Sequence, residues 1–255
     1  MLAITGQLEA STYIAAAFAG NHRPLFSTLF RHNKLALSID KNSKEGRMDT
    51  QVRNIYLKEI ETQASFALNA IGAINNALDR FNKAHDDHNS ELTTRLHQEI
   101  FRTLHSFLTH ASNVSRLLWP APPRRQRHET KKDYDVRCLK IFKLVRGADL
   151  RSALGLPEHG HVLKSRKLRD HLEHFDERLD EWQRKSVRRN FVQDIIAPKG
   201  AISGFEESDM MRWFDPQAKA VYFRGQEYDI QQLVDGVSEI YKKVIEATHI
   251  DFSSY

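Results

Sequence analysis

Cysteine occurs once in this 255-residue chain, at Cys138, so no internal disulfide can form and a reducing, cytoplasmic compartment is expected. No apolar run approaches the roughly 20 residues of a membrane-spanning helix; the longest, Tyr13 to Ala19, falls well short, and no membrane partner is expected. No Lys or Arg precedes Arg23, so the basic start of a secretory signal is missing. A glycine-rich phosphate loop, a nucleophile elbow and a Cys-x-x-Cys pair are also missing. Their absence argues against nucleotide triphosphatases, α/β-hydrolases and thiol redox enzymes. There is no internal repeat and no low-complexity tract. What remains, 40% hydrophobic and 28% charged residues, is the composition of a globular chain long enough to bury a core.

The net charge of +5 is unevenly spread. Between Arg116 and Arg151 there are eleven Lys or Arg, opposed only by Glu129, Asp133, Asp135 and Asp149. Arg124, Arg125, Arg127, Lys131 and Lys132 form the densest part. Such a patch concentrates polyanions, which makes these five the candidate nucleic-acid-binding residues; a solvated basic loop is the plainer alternative.

The pattern along the chain predicts a mainly α fold. Residues 1–47 read as a poorly ordered arm or a mis-assigned extension, with Met48 as the expected start; residues 48–255 read as one helical domain. Ile60, Ala64, Ala67, Ile71, Ile74, Leu78 and Phe81 recur at spacings of four and three, predicting a helix from about Thr50 to Ala84. After the polar break at 85–90, Leu92, Leu96, Ile100, Leu104, Phe107, Ala111, Val114 and Leu118 predict a second helix, stopped by Trp119-Pro120. Two long helices with a short link should pair antiparallel. A shorter helix carrying Leu139, Phe142 and Val145 should end at Gly147. Leu168, Leu172, Phe175, Leu179 and Trp182 predict a third long helix over about Val162 to Arg188. Met211 to Phe214 and Ala220 to Phe223 read as a small β-hairpin. Asp229 and Gln232 should cap a last helix that buries Leu233, Val237, Ile240, Tyr241 and Val244.

Chemistry concentrates on the third long helix. On a straight helix, His171, Arg178 and His174 share one flank of the buried seam, whereas Arg169 lies on the other, about 140° from His174. Asp170, four residues before His174, is in reach of a carboxylate–imidazole contact that would fix its tautomer and raise its pKa.

The run Arg169-Asp170-His171-Leu172-Glu173-His174 resembles the Arg-x4-6-His motif of the HEPN superfamily, all-helical proteins that include many metal-independent bacterial RNases. Three Arg-x4-His spacings occur here, at Arg80/His85, Arg166/His171 and Arg169/His174. Only Arg169 is followed by the polar residue usual in that family. The resemblance implies a metal-independent endoribonuclease with no cofactor, acting on RNA as a homodimer whose two motifs face one cleft. It also implies a toxin or defence role, with an antitoxin or regulatory protein as a further partner.

The residues suit that chemistry. His174 can serve as base or acid for 2′-hydroxyl attack, Arg169 as the phosphate clamp and Asp170 as the orienting group, with His171 and Arg178 as secondary candidates. The alternative is a non-catalytic helical module that binds nucleic acid or a partner protein. A metal centre is the weakest reading: His171 and His174 share a face, but no third ligand follows at a characteristic spacing. Trp119, Trp182 and Trp213 read as core anchors.

Overall fold

The computed structural model describes residues 48–252, so the expectations for residues 1–47 lie outside the described residues. Asp49 starts the first helix: its carboxylate accepts from the amides of Gln51 (2.9 Å) and Val52 (3.2 Å), satisfying two of the donors a helix start leaves open. Helix α1 spans Thr50–Asp86 and buries the predicted stripe apart from Phe81, which is half-buried. At the link, Asn89 accepts from the Leu92 amide (3.0 Å) and caps α2, Ser90–Leu118. The two run in opposite directions. Gln63, early in α1, accepts from Asn113 late in α2 (3.1 Å), while Phe81 meets His97 near the start of α2.

The last carbonyls of α2 are taken by cations, as a helix C-terminus favours. Arg146 donates to Arg116 O, Arg151 to Leu118 O, and Arg166 to Trp119 O. The segment after the prolines forms two helices, α3 (Lys131–Leu139) and α4 (Phe142–Ala153), rather than one ending at Gly147. Gly147 lies buried inside α4 because α4 crosses the end of α2 there. A Cβ at that position would sit 2.5 Å from Pro120 Cδ. Leu139 and Phe142 point outward instead of inward.

The expected third long helix is corrected to three pieces: a 3-10 turn (Val162–Lys164), α5 (Lys167–Glu173) and α6 (Phe175–Lys185). Ser165 is extended, and His174, at φ −101° and ψ 40°, kinks the chain between α5 and α6. The backbone ladder bridges the kink through His174 N to Asp170 O (3.1 Å) and Arg178 N to His174 O (3.2 Å). The reason is packing. His171 and Phe175 both seat on Phe223, one stacked and one edge-on, and Asp176 and Glu177 lie in the first turn of α6, where the helix dipole favours negative charge.

The predicted hairpin is part of a four-stranded sheet ordered β1 (Ile195–Ile196), β2 (Trp213–Asp215), β3 (Ala220–Phe223), β4 (Gln226–Asp229). β1 pairs parallel to β2, and the other pairs are antiparallel, with Phe214 opposite Val221 and Tyr222 opposite Glu227. Arg224 and Gly225, both at positive φ, form the two-residue turn that a tight hairpin requires. Helix α7 (Ile230–Phe252) is capped by Asp229, which accepts from both the amide and the side chain of Gln232 (2.9 Å each). It lies against α1 and buries Ile230, Val234, Val237, Ile240 and Val244, while Leu233 and Tyr241 are only half-buried. One core joins α1, α2, α4, α7 and the inner face of the sheet. Among the described residues no helix is long and apolar enough to cross a membrane.

Candidate functional site

Leu168 anchors α5 in the core and thereby fixes where the next residues point. Arg169 turns toward α2 and is only 7% exposed. One guanidinium nitrogen is ion-paired with Glu173, which also lies 3.6 Å from Arg116 of α2. Arg169 Nε and Nη1 are buried without a hydrogen-bond partner among the described residues; Asp170 Oδ1 is 3.9 Å from Nη1. Burial, then the Arg116 and Arg166 charges, push the Arg169 pKa down, and Asp170 opposes them. The group remains a cation at any physiological pH.

His174 sits at the kink with its side chain 55% exposed, and its Nδ1 is 3.3 Å from Glu177 Oε1. The expected Asp170–His174 contact is therefore replaced by Glu177, because the kink swings the imidazole away from the preceding turn. His171 takes the sheet side. Its ring stacks on Phe223 (4.9 Å, 9°), meets Tyr228 edge-on, and its Nε2 lies 3.4 Å from Gln226 Oε1. Burial is the main cause that lowers its pKa, and Arg178 and Arg224 add to it, whereas Gln226 acts the other way. Arg178 stays beside it, 3.5 Å from Glu181. Lys185 and Arg224 also hold Glu181, bringing its pKa down to about 2.

The five motif candidates thus separate into three groups. Arg169 faces α2, His171 and Arg178 face the sheet, and Asp170 and His174 face solvent. The sequence did not point to the cationic surroundings of Arg169. Arg116 and Arg166 lie close enough to depress its pKa, and Arg169 and Arg212 together depress that of His105 on α2, after partial burial as the largest cause. Arg116 is 57 residues from Glu173, so no local spacing could link them. Glu177, three residues after His174, was within reach of a helical reading.

Arg124, Arg125, Arg127, Lys131 and Lys132 are all exposed, and no ion pair holds any of them among the described residues. The nearby Glu129 is taken by Arg137 (2.6 Å), which brings its pKa down to about 2. No group of three His, Cys, Asp or Glu among the described residues could hold a metal ion. A crevice of about 360 Å³ between α1 and the sheet, lined by Asn75, Phe81, Pro198 and Pro216 among others, includes none of the motif residues. No family model, curated protein or solved structure matches the chain.

Proposed function

We propose that this chain is a metal-independent endoribonuclease of HEPN type, working as a homodimer in the cytoplasm, with the exposed basic run at 124–132 gathering RNA. The observation that carries the reading is Arg169, a buried arginine with two unused donors, one turn before an exposed histidine. A buried cation with free donors is suited to a phosphate whose charge rises in the transition state.

In the reaction, the RNA 2′-oxygen attacks the adjacent phosphorus and gives up its proton to an imidazole. The bond to the 5′-oxygen breaks, and that oxygen takes a proton from a second imidazole, leaving a 2′,3′-cyclic phosphate and a 5′-hydroxyl. One protomer offers one exposed motif imidazole, so His174 of two protomers supplies the pair; Glu177 orients each of them. A toxin or defence role, with an antitoxin or regulatory protein as second partner, suits such an activity.

The test is RNA cleavage by the purified chain in EDTA beside a His174→Ala variant, with light scattering for the dimer. Cyclic-phosphate products that vanish in the variant support the reading. Cleavage that survives the substitution overturns the assignment of His174.

A second reading, a non-catalytic RNA- or protein-binding module, is favoured by the pairing of each motif residue with its own carboxylate, Arg169 with Glu173 and His174 with Glu177. RNA binding without cleavage by the wild-type dimer would select it.

A further inference from the structure

Helix α3 carries exposed apolar side chains that the RNA reading does not use. The helix buries no residue. Tyr134, Arg137 and Cys138 turn inward: Tyr134 donates to Pro123 O (3.1 Å), and the Arg137 guanidinium lies over the Tyr134 ring (5.4 Å) and pairs with Glu129. At about 100° per residue, the opposite side carries Lys132, Val136, Leu139 and Lys140 within one stripe. The chain then turns at Ile141 into Phe142 and Lys143. Val136 is 45% exposed, Leu139 75% and Phe142 59%.

Three large apolar side chains stand exposed within seven residues, interleaved with Lys140 and Lys143 and preceded on the same stripe by Lys132, a concentration unlike scattered surface hydrophobics. Within 124–143, eight Lys or Arg face only Glu129, Asp133 and Asp135. Glu129 is neutralised by Arg137, and Asp133 accepts from the capping Thr130 (2.7 Å).

We infer that this face docks the protein on an anionic lipid bilayer, with Lys132, Lys140 and Lys143 on the headgroups and Val136, Leu139 and Phe142 in the acyl boundary. The charges select the occupant. A second copy of the patch would bring cations against cations. Residues 1–47 carry six Lys or Arg against three acids, so they repel it as well. RNA would match the charge and could stack on Phe142, but it offers no apolar medium for Val136 and Leu139; a bilayer offers both. Hydropathy scanning misses such a surface because it detects spans and not basic–apolar faces.

The test is co-sedimentation of the full chain with vesicles of phosphatidylcholine alone or mixed with about one third phosphatidylserine. The variant is Leu139→Glu with Phe142→Glu; both positions are exposed, and circular dichroism checks the fold. The expected result is binding to the anionic vesicles only, weakened by salt, and reduced about tenfold or more in the variant, with RNA binding unchanged. No binding to anionic vesicles overturns the inference. So does vesicle binding that is the same in the variant, since the apolar residues would then not enter the bilayer. Loss of RNA binding with vesicle binding retained would also overturn it and assign the face to nucleic acid.

Discussion

Arg169 depends on Glu173 for compensation of a charge that α2 and α5 remove from water. Removing that carboxylate leaves a buried guanidinium beside Arg116 and Arg166, with Asp170, 3.9 Å from Nη1, as its one remaining carboxylate among the described residues. Glu173 is itself about one-third exposed, so the loss is smaller than for a fully buried pair. Glu173→Ala should lower stability by about 1–3 kcal/mol, read from the urea midpoint. A change under about 0.5 kcal/mol would mean that the pair behaves as a surface ion pair.

The histidines set the pH response. His161 stacks on Trp119 (4.7 Å), and His171 on Phe223; burial lowers both pKa values, and His105 and His110 shift the same way. The folded chain keeps these rings neutral, whereas the unfolded chain takes up protons near pH 6.5. Stability is therefore complete above about pH 6.5 and falls below it, toward the depressed folded-state values. Urea midpoints measured between about pH 7.5 and 5.5 should drop, with a smaller slope in His161→Gln. A flat profile would contradict it.

At the scale of elements, what the sequence made legible depends on how local the cause is. The stripes of α1 and α2 were readable because periodicity alone determines a long amphipathic helix, and the caps at Asp49, Asn89 and Asp229 follow from their own side chains. The kink at His174 was not readable from the apolar seam, because its cause, Phe223, lies about fifty residues away. One local signal was present. Asp176, Glu177, Asp180 and Glu181 repel one another in a continuous helix, yet two of them fall in the first turn of a new one. β4 escaped notice because Gln226 to Asp229 has no apolar alternation, and β1 because two residues have no pattern. The motif residues were found, but their division among α2, the sheet and solvent depends on that kink.

Gly147 illustrates the same limit. It reads as a stop in one dimension and is a close crossing in three. Gly147→Ala gains helix propensity of about 1 kcal/mol but places a methyl 2.5 Å from Pro120 Cδ and 3.0 Å from Leu118 O. Neither partner has a flexible end, so a net destabilisation of about 1–3 kcal/mol is expected in urea unfolding. An unchanged or raised midpoint would show that α4 can slide along the end of α2.

For the whole molecule, the decisive property is polarity of charge. The stretch from Arg116 to Arg151 is more positive than the chain as a whole, so the remainder carries a slight negative excess and repels a polyanion that approaches elsewhere. RNA should therefore be oriented by one end of the bundle before it meets the motif. If the five exposed cations at 124–132 each release a counterion from a single strand, log K falls with log salt at a slope of about −3.5. Replacing Arg124, Arg125 and Arg127 by alanine should reduce that slope by about 2 and weaken binding alike for every sequence, with cleavage per bound RNA unchanged, because none of the three approaches Arg169 or His174 through a contact in the structure. Fluorescence anisotropy across a salt series, with cleavage measured at saturating protein, separates the two effects. An unchanged slope in the triple variant would move RNA recognition to another face, with the cations around Arg169 as the next to be tested.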